Sequence, residues 1–513
     1  MLGADVVLGT LADNGIDTLF ANPGTSEMHL VAAMDREPRL RPVLCLFEGV
    51  ATGAADGFAR IAGRPACVLL HLGPGYSNGA ANLHNARRAF SPVVTLVGDH
   101  STAHRVLDAP LTSDIATLAA PNSVWLQSAD NTATVGRQVS EAVRASLGPP
   151  AGPSTLILPA DTAWSLAGPS QPSRAGPHLQ PSYAPPVDEV AKAIRGARCP
   201  VILIGGQALQ RKGLAAAARI VARGYRVVTE TFPARQTRGR DVIAPDRMKY
   251  FAEIATDDLA GHDLLVLVGT AAPVSFFAYP DVPSELVPPQ ADVVTLTPPG
   301  YDGEAALTSL ADSLACPATI APPGSARPGV PSGALTADSV GISIARHLPD
   351  GAIVSDDGVT ASLPIFWRTA SAAPHDWLNL TGGAIGQGMP VAAGAALARP
   401  DAKVLALTGD GAAMYTPQTL WTLARQNLDV TVVVFANRSY RILEVEHART
   451  KAGPLGASAA AMFDIGNPDL DWVALARAQG VPGVVCGDAA EFDKAFARAM
   501  AGSGPFLIEA LVA

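Results

Sequence analysis

The sequence predicts an α/β fold of three doubly wound parallel-sheet domains, at residues 1–165, 186–320 and 335–513. Three observations carry this reading. At 513 residues the chain exceeds what one hydrophobic core usually serves. Two stretches dense in proline and glycine suit extended surface linkers and leave three blocks between them: residues 148–186 (with GPPAGP, AGPSQPSRAGP and SYAPPVD) and residues 317–333 (PATIAPPGSARPGVPSG). Within each block, apolar runs of strand length alternate with alanine-rich helical spans, the pattern of a parallel sheet covered by helices.

In the first block the expected strands are 18–20, 43–47, 66–71 and 93–97. Strand 43–47 delivers Glu48 to a helix, EGVATGAADGFAR, so rich in glycine and alanine that another backbone must approach closely along it. Strand 66–71 ends at His71 and enters an expected loop, Leu72-Gly73-Pro74-Gly75. The middle block carries strands 201–204, 226–229, 264–268 and 292–296, and the turn Gly205-Gly206 is its single nucleotide-like feature. The third block carries strands 352–355, 403–408, 429–435 and 505–510. Its helical span 417–427 has Leu420, Leu423 and Ala424 at helical spacing, with Pro417 suited to a first turn.

Composition narrows the function classes. Hydrophobic residues at 48% and charged ones at 16% describe a compact globule rather than a disordered chain. A net charge of −9 without a long basic run argues against nucleic acid as a partner. Cys45, Cys67, Cys199, Cys316 and Cys486 are scattered, odd in number and without metal-type spacing, as expected of reduced thiols in a cytoplasmic protein. Asp5 and Asp13 interrupt the start of the chain, and no apolar run approaches about 18 residues, so neither a secretion signal nor a membrane span is expected.

The richest segment runs from Gly409 to Tyr440. A strand (KVLALT), the turn Gly409-Asp410-Gly411, a helix, a second strand (DVTVVVF) and then Asn437-Arg438-Ser439-Tyr440 make a βαβ unit, whose two strands are parallel and end on one edge of the sheet. Asp410 and Asn437 then lie together where open α/β sheets bind ligands. Two hard oxygen donors beside glycine-rich backbone (Gly409, Gly411, Ala412) and a helix start suit Mg2+ carrying a diphosphate.

That segment resembles the thiamine diphosphate motif. Together with NPGTSE, FEGVATGAADGFAR, HLGPGYSN and TGGAIGQGMP, it makes nearly the whole chain similar to thiamine diphosphate enzymes of the acetolactate synthase and benzoylformate decarboxylase superfamily. The three blocks then correspond to pyrimidine-binding, central and diphosphate-binding domains. The resemblance implies that Asp410, Asn437 and the carbonyl of Ser439 hold Mg2+, with Gly409, Gly411, Ala412 and Tyr440 around the diphosphate. It implies that Glu48 hydrogen-bonds the cofactor's pyrimidine N1′, a role suited to a carboxyl group in a largely apolar site. Ile385 becomes the apolar wedge that bends the cofactor, the carbonyl of Gly383 the acceptor for its 4′-amino group, and Asn78 a further cofactor contact. His71 aligns with an active-site histidine of the decarboxylase branch, able to orient a substrate carboxylate or relay a proton. Thr25 and Ser26 read either as helix caps or as contacts to that carboxylate. For an isolated Glu48, stabilisation by the helix macrodipole would be the better explanation.

The sequence also departs from the family. The second active-site histidine of the decarboxylase branch is missing from the stretch Ala272–Ala278, and acetolactate synthases generally have Gln where this chain has Asp99-His100. FAD, which some relatives bind, is not favoured, since no Arg- and Asp-rich loop for it is evident. The expected activity is cleavage next to the carbonyl of a small-molecule 2-oxo acid, as decarboxylase or carboligase, in a homodimer or homotetramer with sites between subunits. The glycine- and alanine-rich helix after Glu48 is the expected subunit contact. A catalytically inactive or regulatory cofactor-binding subunit of a synthase is the alternative.

Overall fold

The computed structural model describes residues 1–129, 131–167, 183–320 and 326–512. The first domain holds a six-stranded parallel sheet in the spatial order Arg41–Leu44, Thr18–Ala21, Ala66–His71, Val93–Asp99, Pro153–Pro159, Trp125–Ser128. The middle domain holds five parallel strands, in the order Asp246–Arg247, Arg226–Thr229, Pro200–Ile204, Leu264–Val268, Asp292–Thr297. The third sheet runs Gly483–Cys486, Phe506–Ala510, Val430–Phe435, Val404–Gly409, Ala352–Asp357, His375–Leu378, Gln236–Arg238. The central strands are buried along their length, as sheets with helices on both faces require. All five cysteines are free thiols, and among the described residues no helix is long and apolar enough to cross a membrane.

Several expectations shift. The strand expected at 43–47 is Arg41–Leu44, because its partner Thr18–Ala21 ends opposite Leu44, and residues 45–47 become the turn into Glu48. Gly409 is not part of a turn but the last residue of its strand, and Asp410 opens the short helix Asp410–Ala413. The expected loop after His71 is instead the first turn of the helix Leu72–Arg88, with Pro74 where a missing N–H does no harm. The linker expected at 148–186 begins too early. Strand Pro153–Pro159 and helix Ala160–Trp164 occupy its first part, and residues 168–182 lie outside the described residues. Proline there reads as punctuation, yet Pro153 opens the strand and Pro159 closes it, positions where a missing donor is tolerated. One strand breaks the parallel rule: Gln236–Arg238, from the middle block, pairs antiparallel with His375–Leu378 at the edge of the third sheet.

The glycine- and alanine-rich helix Glu48–Ala62 corrects a further expectation. Its close partner is not a second subunit but the helix Gly388–Ala398 of the same chain. A Cβ on Gly57 would lie 2.0 Å from the carbonyl oxygen of Val391, and one on Gly394 1.8 Å from that of Ala54. Backbone therefore touches backbone, with Ala51, Ala54, Ala55, Val391, Ala392 and Ala395 fully buried between the domains. Beside this seam Arg60 forms a buried pair with Asp56 (2.5 Å) and donates to the carbonyl of Asn379 at 2.8 Å.

Candidate active site

Strands Val404–Gly409 and Val430–Phe435 lie side by side with Gly409 opposite Phe435, so the residues that follow them emerge together. Asp410 Oδ1 accepts the N–H of Gly411 at 2.8 Å and Oδ2 accepts that of Arg438 at 2.7 Å. Asn437 Oδ1 accepts the N–H of Ser439 at 3.0 Å, and Ser439 Oγ donates to Glu444 Oε1 at 2.7 Å. A cavity of about 540 Å3 is lined by Gly409, Asp410, Gly411, Ala412, Asn437, Ser439, Tyr440 and Ile385. Gly411 is needed for its shape, since a Cβ there would meet Tyr440 Cε1 at 2.3 Å. Burial raises the pKa of Asp410 above the usual carboxylate range, against the opposing pull of its backbone N–H partners. Its oxygens are aimed by main chain and accept from no basic side chain among the described residues, so a cation is what would relieve them.

The loop carrying Ile385 is held from three sides. Asn85 brackets Ala384, donating to its carbonyl (2.8 Å) and accepting its N–H (3.2 Å). Asp357 Oδ2 accepts the N–H of Gly386 (2.8 Å) and of Gly388 (3.2 Å), and Thr416 donates to the carbonyl of Gly386 (2.8 Å). Gly383 does not line the cavity. It has φ +76° and carries Phe276 of the middle domain against it, where a Cβ would meet the ring at 2.6 Å.

A second cluster forms at the carboxyl edge of the first sheet. Glu48 opens its helix, is buried, and accepts from Asn78 Nδ2 at 3.0 Å. His71 Nδ1 lies 2.9 Å from Glu27 Oε2. Gly75 sits between His71 and Glu48, close to both. Thr25 and Ser26 lie in the single 3-10 turn Thr25–Glu27, with Thr25 exposed and Ser26 half-buried. Neither caps the following helix, Met28–Met34, which starts at Glu27 without a side-chain cap hydrogen bond. The cavity is lined by third-domain residues alone, without Glu48, Asn78 or His71. Along the helix Leu72–Arg88, the Asn78 that touches Glu48 and the Asn85 that holds Ala384 are separated by a rise of about 10 Å.

Residues 1–119 match the family model described as the N-terminal TPP binding domain of thiamine pyrophosphate enzymes, and residues 361–510 match the C-terminal TPP binding domain. A Mycobacterium tuberculosis protein, provisionally named an acetolactate synthase large subunit, is 49% identical over 516 residues, covering 100% of this chain and 99% of its own. The chain belongs to the thiamine pyrophosphate enzymes. A benzoylformate decarboxylase of Pseudomonas aeruginosa is 29% identical, with 97% of this chain and 96% of the relative covered. Among solved structures, a thiamine diphosphate-dependent 4-hydroxybenzoylformate decarboxylase from Rhodococcus jostii superposes with a TM-score of 0.83 at 25% identity, covering 100% of this chain and 99% of the other.

The residues of this thiamine pyrophosphate enzyme fit a metal-bound diphosphate. The cavity offers one buried carboxylate, one amide oxygen and adjacent main chain, a hard-oxygen set that leaves positions for water and phosphate oxygens, as Mg2+ prefers. No group of three or more His, Cys, Asp or Glu suited to a softer or fully enclosed metal occurs among the described residues. Reading the sequence missed Asp357, which aims the Ile385 loop, and Gly358, Val359 and Thr360, which line the cavity. Their signal was present: Asp356-Asp357-Gly358 ends the strand next to Val404–Gly409, on the same ligand edge. Glu27 was missed as well.

Proposed function

We propose that this thiamine pyrophosphate enzyme is a thiamine diphosphate- and Mg2+-dependent decarboxylase or carboligase of a 2-oxo acid, working as a homodimer or homotetramer with its sites between subunits. The observation that carries the reading is the cavity that gathers Asp410, Asn437 and Ser439 with Ile385 and Tyr440. Asp410, Asn437 and the Ser439 carbonyl hold the metal, and Gly409, Gly411, Ala412 and Tyr440 surround the diphosphate. Ile385 would support the bound cofactor from the cavity wall, and the Gly383 carbonyl, outside that wall in one chain, would be the acceptor for its amino group. When bound, the cofactor supplies an electron sink for the pair released as carbon dioxide departs. Glu48 would exchange a proton with the pyrimidine nitrogen of the bound cofactor, while His71, with Thr25 or Ser26, would orient the substrate carboxylate.

That no first-domain residue lines the cavity supports a shared site, in which Glu48, Asn78 and His71 of one subunit complete the cavity of the other. FAD stays outside the proposal. The N–H of Gly206 is already taken by Glu230 at 3.2 Å, whose carboxylate would repel a diphosphate. Phe276, partly exposed against Gly383, and Phe277, packed on the Phe276 ring, favour a large apolar substrate side chain. Incubation with cofactor, Mg2+ and either benzoylformate or pyruvate, reading carbon dioxide and the aldehyde or coupled product, tests the proposal. Turnover of neither, with exchange of the bound cofactor's C2 hydrogen no faster than in free solution, would establish the inactive-subunit alternative.

A further inference from the structure

We propose that Glu27 is a positioning residue that holds the His71 imidazole by Nδ1 and leaves Nε2 to the substrate, in seats that Gly24 and Gly98 keep open. The inference rests on the decarboxylase reading for its consequence, but not for its geometry. Glu27 is fully buried at the carboxyl edge of the first sheet. Its Oε2 takes two donors, the N–H of Gly24 at 2.8 Å and His71 Nδ1 at 2.9 Å.

The glycines show that the arrangement is built. A Cβ on Gly24 would lie 2.2 Å from both Cγ and Nδ1 of His71, so the imidazole is laid flat against main chain. A Cβ on Gly98, in the neighbouring strand Val93–Asp99, would lie 1.7 Å from Glu27 Oε1. Two positions far apart in sequence thus lack side chains where the ring and the carboxylate sit. A carboxylate that merely closed a turn onto Gly24 would need neither the histidine nor the cleared space at Gly98. It would also sit near water, where a charged group is cheapest. Glu27 Oε1 has no partner among the described residues, so the bond to His71 is the one side-chain interaction that offsets its burial. Burial raises the Glu27 pKa, and a proton shared with His71 counters that rise.

The geometry fixes which nitrogen works. With Nδ1–H donated to Glu27, Nε2 has no partner among the described residues, and the side chain keeps 20% of its exposure. Decarboxylation of a 2-oxo acid to an aldehyde consumes one proton. The pair from the broken C–C bond must end in a new C–H bond, and the proton leaves Nε2 of the His71 imidazolium, which returns to neutral and is recharged from water. A carboxylate on Nδ1 stabilises that imidazolium and prevents the ring from turning over.

The test uses the full-length protein loaded with thiamine diphosphate and Mg2+, labelled with 15N-histidine, the His71 signals being assigned by their loss in His71→Gln. In its neutral form, wild-type His71 is expected to carry its proton on Nδ1. Glu27→Gln keeps one acceptor oxygen for Gly24 and His71 and removes the charge, so it should retain that tautomer and the KM for the 2-oxo acid. Its kcat should fall by about tenfold or more, the scale of assisted proton transfer. A neutral wild-type His71 that carries its proton on Nε2 and none on Nδ1 would overturn the proposal without any variant. So would a Glu27→Gln enzyme with unchanged kcat. A wild type that releases no carbon dioxide from any 2-oxo acid defeats the decarboxylase reading instead, and the tautomer of His71 still decides the role of Glu27.

Discussion

Replacing Gly394 by Ala tests the seam that joins the outer domains. The new Cβ would lie 1.8 Å from the Ala54 carbonyl oxygen and 2.7 Å from the Phe58 nitrogen, both main chain, so no side chain can swing away. An ordinary carbon–oxygen contact needs roughly 3.3 Å, so helices Glu48–Ala62 and Gly388–Ala398 must part by about 1.5 Å. A gap of about 1 Å already forfeits a quarter to a half of each dispersion contact across it. The packing that loosens is that of Ala51, Ala55, Val391 and Ala395, all fully buried. Overpacking of this kind costs about 1–3 kcal/mol, and the loosened dispersion brings the expectation to about 2–4 kcal/mol. Urea unfolding followed by circular dichroism measures it, with Gly196→Ala as control. Gly196 ends the helix Val187–Gly196 with nothing within 4 Å of a new Cβ, so that change should stay within about 0.5 kcal/mol. Equal midpoints for the Gly394→Ala and control proteins would refute the close backbone contact.

Asp410→Ala should abolish Mg2+-dependent cofactor binding by calorimetry, because a diphosphate without its cation leaves several negative oxygens uncompensated; Ser439→Ala, which keeps the carbonyl and loses only the bond to Glu444, should bind within a few-fold of wild type. Asp357 is pushed up to about 7 by burial, so the folded state favours its protonated form; stability is full below about pH 4, declines by a few kcal/mol at most as pH rises toward 7, and then levels off, whereas Asp357→Asn should flatten that decline in urea titrations at pH 5 and pH 8. Mixing inactive Glu48→Ala and Asp410→Ala chains under subunit exchange should restore about a quarter of wild-type activity, since half the dimers are mixed and each holds one intact site; mixtures that exchange fully and stay inactive would place both residues in one chain's site.

How much of this was legible beforehand follows from the range of each signal. The Gly409–Tyr440 unit is local: strand, helix and strand are contiguous, so period and turn chemistry place Asp410 and Asn437 on one edge, and the structure brings both to one cavity. The strand Pro153–Pro159 was hidden because proline density reads as linker, although this strand lies between two others with every residue buried. Gln236–Arg238 could not be seen to leave its block, since three residues carry no period and their pairing with His375–Leu378 is set by contacts more than 130 residues away. Glu27 shows the same limit at the level of chemistry. In NPGTSE it reads as one more acidic residue at a helix start, and only the meeting of three strand ends reveals a buried carboxylate against His71. Even then its clearest marks are absences, the missing Cβ atoms of Gly24 and Gly98, and an absent side chain acquires meaning only once the atom that fills its place is known. The glycine-rich helix after Glu48 makes the complementary point. Its composition demanded a close backbone neighbour, and one is present, but composition cannot name the neighbour. The structure supplies Gly388–Ala398 of the same chain as that close backbone neighbour.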